Sequence, residues 1–162
     1  MARIVITDAS PLIGLSIVSG LGWLSRLFGE VWMPQEVYRE VLSGNVSRGE
    51  SEIRSAIEEG WLKVWPDAVA PEKSFNLDEG ESACIQIALN HHDDALLIMD
   101  ERTGRAYAQE KALQVAGTAA IIGMAKKSSL IPSAREVFAT LHASDFRISA
   151  TVIQTILARV GE

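Results

Sequence analysis

Residues 3–11 read RIVITDASP, and this stretch sets the fold class. A short, continuous apolar run ends in Asp8, as in a strand that is covered on both faces of its sheet. Ser10 and Pro11 then match the N-cap and the first position of a helix. The same order of apolar run, acidic residue and helix returns at residues 95–104, ALLIMDERTG. Repeated alternation of this kind predicts a parallel sheet covered by helices.

The remaining apolar periods and turn residues extend this pattern along the chain. We predict a three-layer α/β/α sandwich with a central parallel sheet of four or five strands, forming one domain over residues 1–162. The C-terminal helices, about residues 133–162, should pack on the same core. The predicted strands are residues 3–7, 30–33, 62–65 and 95–99, with a candidate fifth at 114–116. The predicted helices are residues 10–19, 23–28, 34–42, 47–59, 78–91, 102–111, 117–127, 133–142 and 149–160.

Composition and charge limit the classes of function. With 162 residues, of which 48% are hydrophobic, the chain can build one well-buried core. No apolar run approaches the ~20 residues that span a bilayer, and Cys84 has no second cysteine to pair with. Because Cys84 falls in an apolar helical stretch, we expect it to be a small buried residue. A cytoplasmic location is expected.

The net charge of −6 argues against a nucleic-acid-binding protein, since phosphate binding normally requires a basic surface. Two considerations weaken that objection. Clustered carboxylates that hold a metal ion add negative charge that the ion offsets, and a local basic patch is compatible with an acidic total.

Four acidic residues should meet at one edge of the predicted sheet: Asp8, Glu40, Glu81 and Asp100. The carboxyl ends of parallel strands lie along one edge, where ligands usually bind. Two carboxylates ~4 Å apart repel by ~4 kcal/mol at an effective dielectric of ~20, so a cation must compensate. Oxygen ligands suit Mg²⁺ or Mn²⁺.

Each acid also has an ordinary structural explanation. Asp8 could cap a helix, although Ser10-Pro11 already supplies an N-cap. The Asp78-x-x-Glu81 spacing is close to a capping box, in which the glutamate reaches back to a backbone N–H. One of Asp100 and Glu101 could cap the helix that follows. On helical periodicity alone, Glu36 and Glu40 are best explained as a solvated face.

Basic residues and histidines were weighed in the same way. The candidates for phosphate contact are Arg102, Arg105, Lys111, Lys126 and Lys127. The last two lysines could instead satisfy a helix C-terminus. The run His91-His92-Asp93-Asp94 resembles a metal site in composition, but it lies where a polar turn is needed, and adjacent histidines diverge on a helix. A solvated turn is the better interpretation.

Four segments resemble the successive acidic motifs of PIN domains: VITDASPLI (5–13), PQEVYREVL (34–42), LDEGESACIQIAL (77–89) and LLIMDERTGRAYA (96–108). The resemblance extends over nearly the whole chain, and the most similar branch is the small prokaryotic PIN-like proteins related to VapC-type toxins. The family often has aspartate where this chain has Glu81, and two aspartates where it has Asp100-Glu101.

The resemblance implies a metal-dependent endoribonuclease in which a metal-activated water attacks the RNA phosphodiester. It assigns Asp8, Glu40, Glu81 and Asp100 as catalytic. Asp8, Glu81, Asp100 and Glu101 would hold the Mg²⁺ or Mn²⁺ ion. Ser10, Arg102 and Arg105 would bind RNA.

Several rival functions and partners remain open. A catalytically weak or inactive PIN-like domain that binds nucleic acid or protein is the alternative. Receiver and haloacid-dehalogenase domains fit poorly, because the first aspartate lacks the second acid that they place near it. The toxin relationship implies a small antitoxin as partner and a homodimer. The helix at residues 149–160 could belong to the core or to a pairing surface.

Overall fold

The computed structural model describes residues 4–44, 49–70 and 76–162. Five parallel strands form one sheet in the order β3-β2-β1-β4-β5. The strands are β1 (Ile4–Thr7), β2 (Val31–Met33), β3 (Leu62–Val64), β4 (Ala95–Ile98) and β5 (Gln114–Ala116). The helices of the described residues are α1 (Ala9–Ile17), α2 (Trp23–Phe28), α3 (Gln35–Val41), α4 (Glu50–Glu59), α5 (Glu79–Asn90), α6 (Arg102–Glu110), α7 (Thr118–Lys127), α8 (Ala134–His142) and α9 (Ala150–Arg159).

The strand order places a topological switch beside β1. The chain runs outward from β1 through β2 to β3, then returns to place β4 on the other side of β1. With right-handed crossovers, this reversal puts α5 and α6 on one face and the earlier helices on the other. Most contacts agree, since α5 packs on β1, β4 and α6, while α2 and α7 pack together; α3 contacts both α1 and α5. A crevice therefore opens between the carboxyl ends of β1 and β4.

The centre of the sheet is fully buried. Ile6, Leu97 and Ile98 are inaccessible to solvent, as expected for strands covered on both faces. Thr7 pairs with Ile98, and the backbone N–H of Asp8 donates to the carbonyl of Ile98 at 2.9 Å. This last bond fixes the two strand ends side by side.

The predicted elements are confirmed as a five-stranded α/β/α fold, with shifts of one or two residues at their ends. The first helix is the informative exception. It begins at Ala9 with Asp8 in the N-cap position, so the prediction that Ser10 is the N-cap was wrong. Residues 47 and 48 of the predicted fourth helix, and residues 71–75 of the predicted connection 66–75, lie outside the described residues.

The C-terminal helices α8 and α9 pack against α7, and Glu162, after α9, bonds to the start of α8. The Glu162 carboxylate accepts hydrogen bonds from the Ser133 hydroxyl at 2.9 Å and the Ala134 N–H at 2.6 Å. In α9, Ile156 and Leu157 are buried whereas Val152 is 43% exposed. The helix therefore contributes to the core with one side and leaves another side accessible.

Two expectations about single residues and spans can be compared with the structure. Cys84 is fully buried and its thiol donates to the Thr7 carbonyl at 3.4 Å, which confirms it as a small core residue. Among the described residues, none of the helices has the length and apolarity required to cross a bilayer.

Candidate active site

A pocket of about 260 Å³ lies at the crevice between β1 and β4. It is lined by Asp8, Ala9, Ser10, Glu40, Asp78, Glu81, Asp100 and Glu101. All four acids that were predicted to meet are in this set, although they come from four separate segments of the chain. Arg102 and Arg105 lie outside it, in an adjoining groove that shares Ser10 and Asp100 with the pocket.

Asp8 is the most buried carboxylate of the pocket, with 6% of its surface exposed. It occupies the N-cap position, but its side chain makes no capping hydrogen bond. Burial raises the pKa of Asp8 to about 7; the Ala9 N–H opposes this shift, and the charges of Asp78, Glu40 and Asp100 add to it. An acid that does not cap its helix and resists ionisation is suited to a bound cation.

Asp100 is held by three hydrogen bonds. One carboxylate oxygen, Oδ1, accepts from the Thr118 N–H at 2.7 Å. The other, Oδ2, accepts from the Thr118 hydroxyl at 2.7 Å and from the Ser10 hydroxyl at 3.1 Å. Ser10 and Thr118 lie in the first turns of α1 and α7, so the two helix starts fix the orientation of this carboxylate between them.

Thr118 was missed by the sequence reasoning. It lies two residues after the end of β5, just as Asp100 lies two residues after β4 and Asp8 lies directly after β1. Its position shortly after a strand was the available sequence signal, but threonine lacks the charge that marked the acids as candidates.

Asp78 and Glu81 form only one half of the predicted capping box. Asp78 caps α5, since its carboxylate accepts from the Glu81 N–H at 2.8 Å. The reciprocal half is absent: the Glu81 carboxyl is buried, and its Oε2 has no hydrogen-bond partner among the described residues. Burial, followed by the hydrogen bond and charge of Asp78, raises the pKa of Glu81 to about 8. An orphaned buried oxygen needs a proton or a cation.

Glu40 and Glu101 line the more open side of the pocket. Glu40 is exposed, and partial burial and the charge of Asp78 raise its pKa. Glu36, one turn earlier on α3, does not line the pocket. Glu101 caps α6 by accepting from the Gly104 N–H at 2.8 Å, so the expectation that one acid of the pair is a cap applies to Glu101.

Two glycines permit the acids to approach the backbone closely. A Cβ at Gly104 would lie 2.8 Å from Glu81 Oε2 and 2.6 Å from Met99 Sδ. A Cβ at Gly117 would lie 3.0 Å from Asp100 Oδ1. The two contacts at Gly104 are too short for a side chain, and at Gly117 the Asp100 carboxylate would have to shift by a few tenths of an ångström.

The lining groups of the pocket have the chemistry to bind a hard divalent cation, but their present positions do not surround one. The ionisable lining groups are all carboxylates, and Mg²⁺ and Mn²⁺ favour oxygen ligands. Within residues 4–44, 49–70 and 76–162, however, no three acidic, histidine or cysteine side chains are grouped closely enough to surround one ion. Part of the reason is visible: the carboxylates of Asp78 and Glu101 each cap a helix by accepting a hydrogen bond from a backbone N–H. Binding would therefore require side-chain rotation toward the pocket.

Other residues considered for metal or phosphate binding lie outside the pocket. His92 to Asp94 form an exposed 3₁₀ turn, in which His92 Nε2 is 2.8 Å from the Lys111 carbonyl, so the interpretation as a solvated turn is confirmed. His91 packs edge-on against Trp65 at 5.6 Å between ring centroids. Lys126 donates to the Pro132 carbonyl at 2.7 Å and has a structural role there.

A family model described as DUF3368, a PIN domain, matches residues 4–162. The chain belongs to the PIN-domain family. PIN domains are generally nucleases and typically use a divalent metal, which agrees with an acidic pocket at the switch point of the sheet.

The fold of this PIN domain is similar to that of a solved archaeal structure. A PilT N-terminus domain protein from the hyperthermophilic archaeon Sulfolobus solfataricus P2 aligns with a TM-score of 0.55 over 91% of this chain and 100% of that chain. The sequence identity is 17%, so the likeness concerns the fold alone. In the comparison with curated proteins, none matched the chain.

The role of Thr118 in this PIN domain can be tested by removing its hydroxyl. Thr118→Val keeps the shape of a fully buried side chain and the N–H bond to Asp100, but removes the 2.7 Å hydroxyl bond. Hydrogen bonds to charged groups contribute ~1.5–3 kcal/mol, so we expect the affinity of the pocket for Mn²⁺ to fall roughly 10- to 100-fold. Thr118→Ser should restore most of that affinity. Equal Mn²⁺ affinity of the valine and serine variants would show that Thr118 does not position Asp100.

Proposed function

We propose that this protein is a metal-dependent endoribonuclease that hydrolyses RNA phosphodiester bonds. The observation that carries the proposal is the single pocket shared by Asp8, Glu40, Glu81 and Asp100, in which two acids have raised pKa values and one buried oxygen lacks a partner. Such a pocket is destabilised by its own charges until a cation binds. Membership of the PIN-domain family supports the same reading.

The acids divide into those that hold the ion and those that surround it. Asp8 and Asp100 are the principal ligands, because they end adjacent strands and are held by fixed backbone. Glu81 is the third ligand, through its unpartnered Oε2. Glu101 offers its second oxygen, and Glu40 lies at the open side, where it can accept a proton from an incoming water.

A divalent ion bound here supplies a water of lowered pKa for in-line attack and stabilises charge on the phosphate. Either Mg²⁺ or Mn²⁺ fits an all-oxygen donor set. Ser10 and Thr118 keep the Asp100 carboxylate oriented. Arg102 and Arg105 lie at the junction of the pocket and the groove, where a guanidinium can bind the phosphate of the RNA strand.

The resemblance of the four acidic motifs to those of PIN domains supports a more specific proposal. We propose that the protein is a VapC-type toxin acting in the cytoplasm as a homodimer, with a small antitoxin as its partner. Induced expression should then arrest growth, and the Asp8→Asn variant should not. Size-exclusion chromatography with light scattering tests the dimer.

The activity itself is tested with the purified full chain and fluorescently labelled single-stranded RNA. We expect cleavage with Mg²⁺ or Mn²⁺, no cleavage in EDTA, and recovery when excess metal is restored. Cleavage that continues at an equal rate in EDTA would contradict the proposal. RNA binding without cleavage under all metal conditions would instead favour a non-catalytic PIN-like binding domain.

A further inference from the structure

A groove of about 1000 Å³ adjoins the acidic pocket beyond the β5 edge of the sheet. Its walls are α6 on one side and α9 with the preceding loop, residues 145–149, on the other; its floor is formed by the end of β5 and the start of α7. It shares Ser10 and Asp100 with the acidic pocket, so the two spaces are continuous. Its volume lies at the upper end of the ~300–1,000 Å³ range of small-molecule sites.

The charge of the groove is opposite to that of the whole chain. Four arginines line it, two from α6 and two from the opposite wall: Arg102, Arg105, Arg147 and Arg159. Asp100 and Asp145 are its only carboxylates within the described chain. In a protein with a net charge of −6, a groove in which arginines outnumber acids two to one is a local exception. This local excess of positive charge matches a polyanion.

Two of these arginines are exposed and make no side-chain interaction within the described part of the chain. The guanidiniums of Arg102 and Arg159 have neither a hydrogen bond nor an ion pair there. Arg105 is anchored differently, since its Nη1 donates to the Met99 carbonyl at 3.1 Å. The unpaired guanidiniums at the two walls are therefore available to phosphate groups of a strand that lies between them.

The loop that forms the far wall is held in place. A Cβ at Gly14 would lie 2.7 Å from Cζ of Phe146, so the Phe146 ring rests against the backbone of α1. Arg147 Nη1 donates to the carbonyls of His142 at 2.6 Å and Ser144 at 3.1 Å. Because these contacts fix the wall in the free protein, little ordering is required when a ligand enters.

We propose that this groove is the track for the single-stranded RNA segment on one side of the scissile phosphate. The inference rests on the proposed nuclease function, because the acidic pocket at the end of the groove is where the strand would be cut. Arg102, Arg105, Arg147 and Arg159 contact phosphates along the track. Apolar side chains of the far wall, Phe146, Ile148 and Val152, present surfaces against which bases can lie.

The track is tested by the salt dependence of binding, which does not require cleavage. The parent is the full-length Asp8→Asn protein with Mg²⁺, and the probe is a labelled single-stranded RNA of mixed sequence followed by fluorescence anisotropy. For single strands, each neutralised phosphate contributes ~0.7 to the slope of log K against log salt. Arg102→Gln/Arg159→Gln should therefore reduce the slope by ~1.4 and raise Kd about 25-fold at ~0.1 M salt.

Two further variants keep the result interpretable. Arg54→Gln is the matched control, because Arg54 is an exposed arginine on α4, which packs at the opposite, β3 edge of the sheet; its slope and Kd should equal those of the parent. Val152→Glu adds a negative charge at an exposed position in the groove, should weaken binding, and should not change the melting temperature. In the wild-type background, the arginine substitutions should raise KM more than they lower kcat.

Each outcome decides the inference. An unchanged slope in the double variant, or an equal loss in Arg54→Gln, would overturn it. A parent that binds an acidic peptide but no RNA would assign the groove to a protein partner and also overturn it. Arginine-dependent RNA binding in a protein that never cleaves RNA would leave the track standing and remove the nuclease function.

Discussion

Asp8→Asn is expected to lower metal-dependent RNA cleavage about 1000-fold or more. Asp8 is buried, ends the central strand, and lines the pocket with Glu81 and Asp100. The substitution keeps the side-chain shape but removes the charge that would hold the ion. Because a metal ion contributes several kcal/mol to the stabilisation of the transition state, losing ~4 kcal/mol corresponds to about three orders of magnitude in rate.

The same substitution should stabilise the metal-free protein. Burial raises the pKa of Asp8 from its ordinary value of 3.8 to about 7, so ionising this group in the folded protein costs free energy at neutral and alkaline pH. Asparagine carries no charge and avoids that cost, which is at most about 4 kcal/mol at pH 8. We therefore expect the melting temperature of Asp8→Asn in EDTA to exceed that of the wild type. Added Mn²⁺ should raise it little.

Asp93→Asn provides the matched control. Asp93 lies in the exposed 3₁₀ turn outside the pocket, so its substitution should change neither cleavage nor the response to Mn²⁺. An Asp8→Asn protein that cleaves RNA at the wild-type rate would show that Asp8 is not a ligand. A lower melting temperature in EDTA would show that the Asp8 carboxylate stabilises the fold.

The second large effect is a pH dependence that reverses when metal is added. An acid whose pKa is raised on folding binds its proton more tightly in the native state, so the free energy of unfolding falls as the pH rises. For Asp8 this loss runs from about pH 4 to pH 7, and for Glu81 from its ordinary 4.5 to about 8. The contribution of these two groups to the stability of the metal-free protein should be greatest near pH 4 and least above pH 8.

Bound metal reverses this dependence of stability on pH, because the ion binds the acids in their ionised form. Each proton that the ion displaces makes the apparent affinity rise ~10-fold per pH unit below the pKa of that group. Asp8 contributes about one factor of ten and Glu81 nearly two, so between pH 6 and pH 8 the Kd for Mn²⁺ should fall by roughly 100- to 1000-fold. Thermal denaturation at fixed Mn²⁺ should show an increase in melting temperature that is small at pH 6 and large at pH 8. An increase that does not vary with pH would mean that Asp8 and Glu81 are not the ligands.

Much of the fold could be predicted from the sequence, because β1 and β4 are short apolar runs that each lead into an acidic residue and a helix. Ile4–Thr7 and Ala95–Ile98 are separated by 87 residues, yet the rule that parallel strand ends share an edge was enough to place Asp8 beside Asp100. The predicted N-cap at Ser10 was wrong, since α1 begins at Ala9, because the Ser-Pro signal was given too much weight. A strand end followed at once by a helix needs no separate N-cap serine.

The details of the pocket depend on contacts that no local pattern encodes. Thr118 and Gly117 act on Asp100 across 17 or 18 residues, and Gly104 makes room for Glu81 from another helix. The capping box of Asp78 and Glu81 is a local sequence signal, and only its Asp78 half forms. The Glu81 carboxyl is buried in the pocket and does not bond back to the backbone. The groove combines α6 with a loop some 40 residues later, and its arginines have no shared spacing.

In the proposed site, Asp8 and Asp100 hold one divalent cation between them. Crystals of the full chain soaked in Mn²⁺ at pH 8, measured at a wavelength where manganese scatters anomalously, test this most directly. We expect one anomalous peak in the pocket within ~2.2 Å of a carboxylate oxygen of each residue, with Glu81 turned toward it. No peak at saturating Mn²⁺, or a peak that contacts neither Asp8 nor Asp100, would contradict the proposed site.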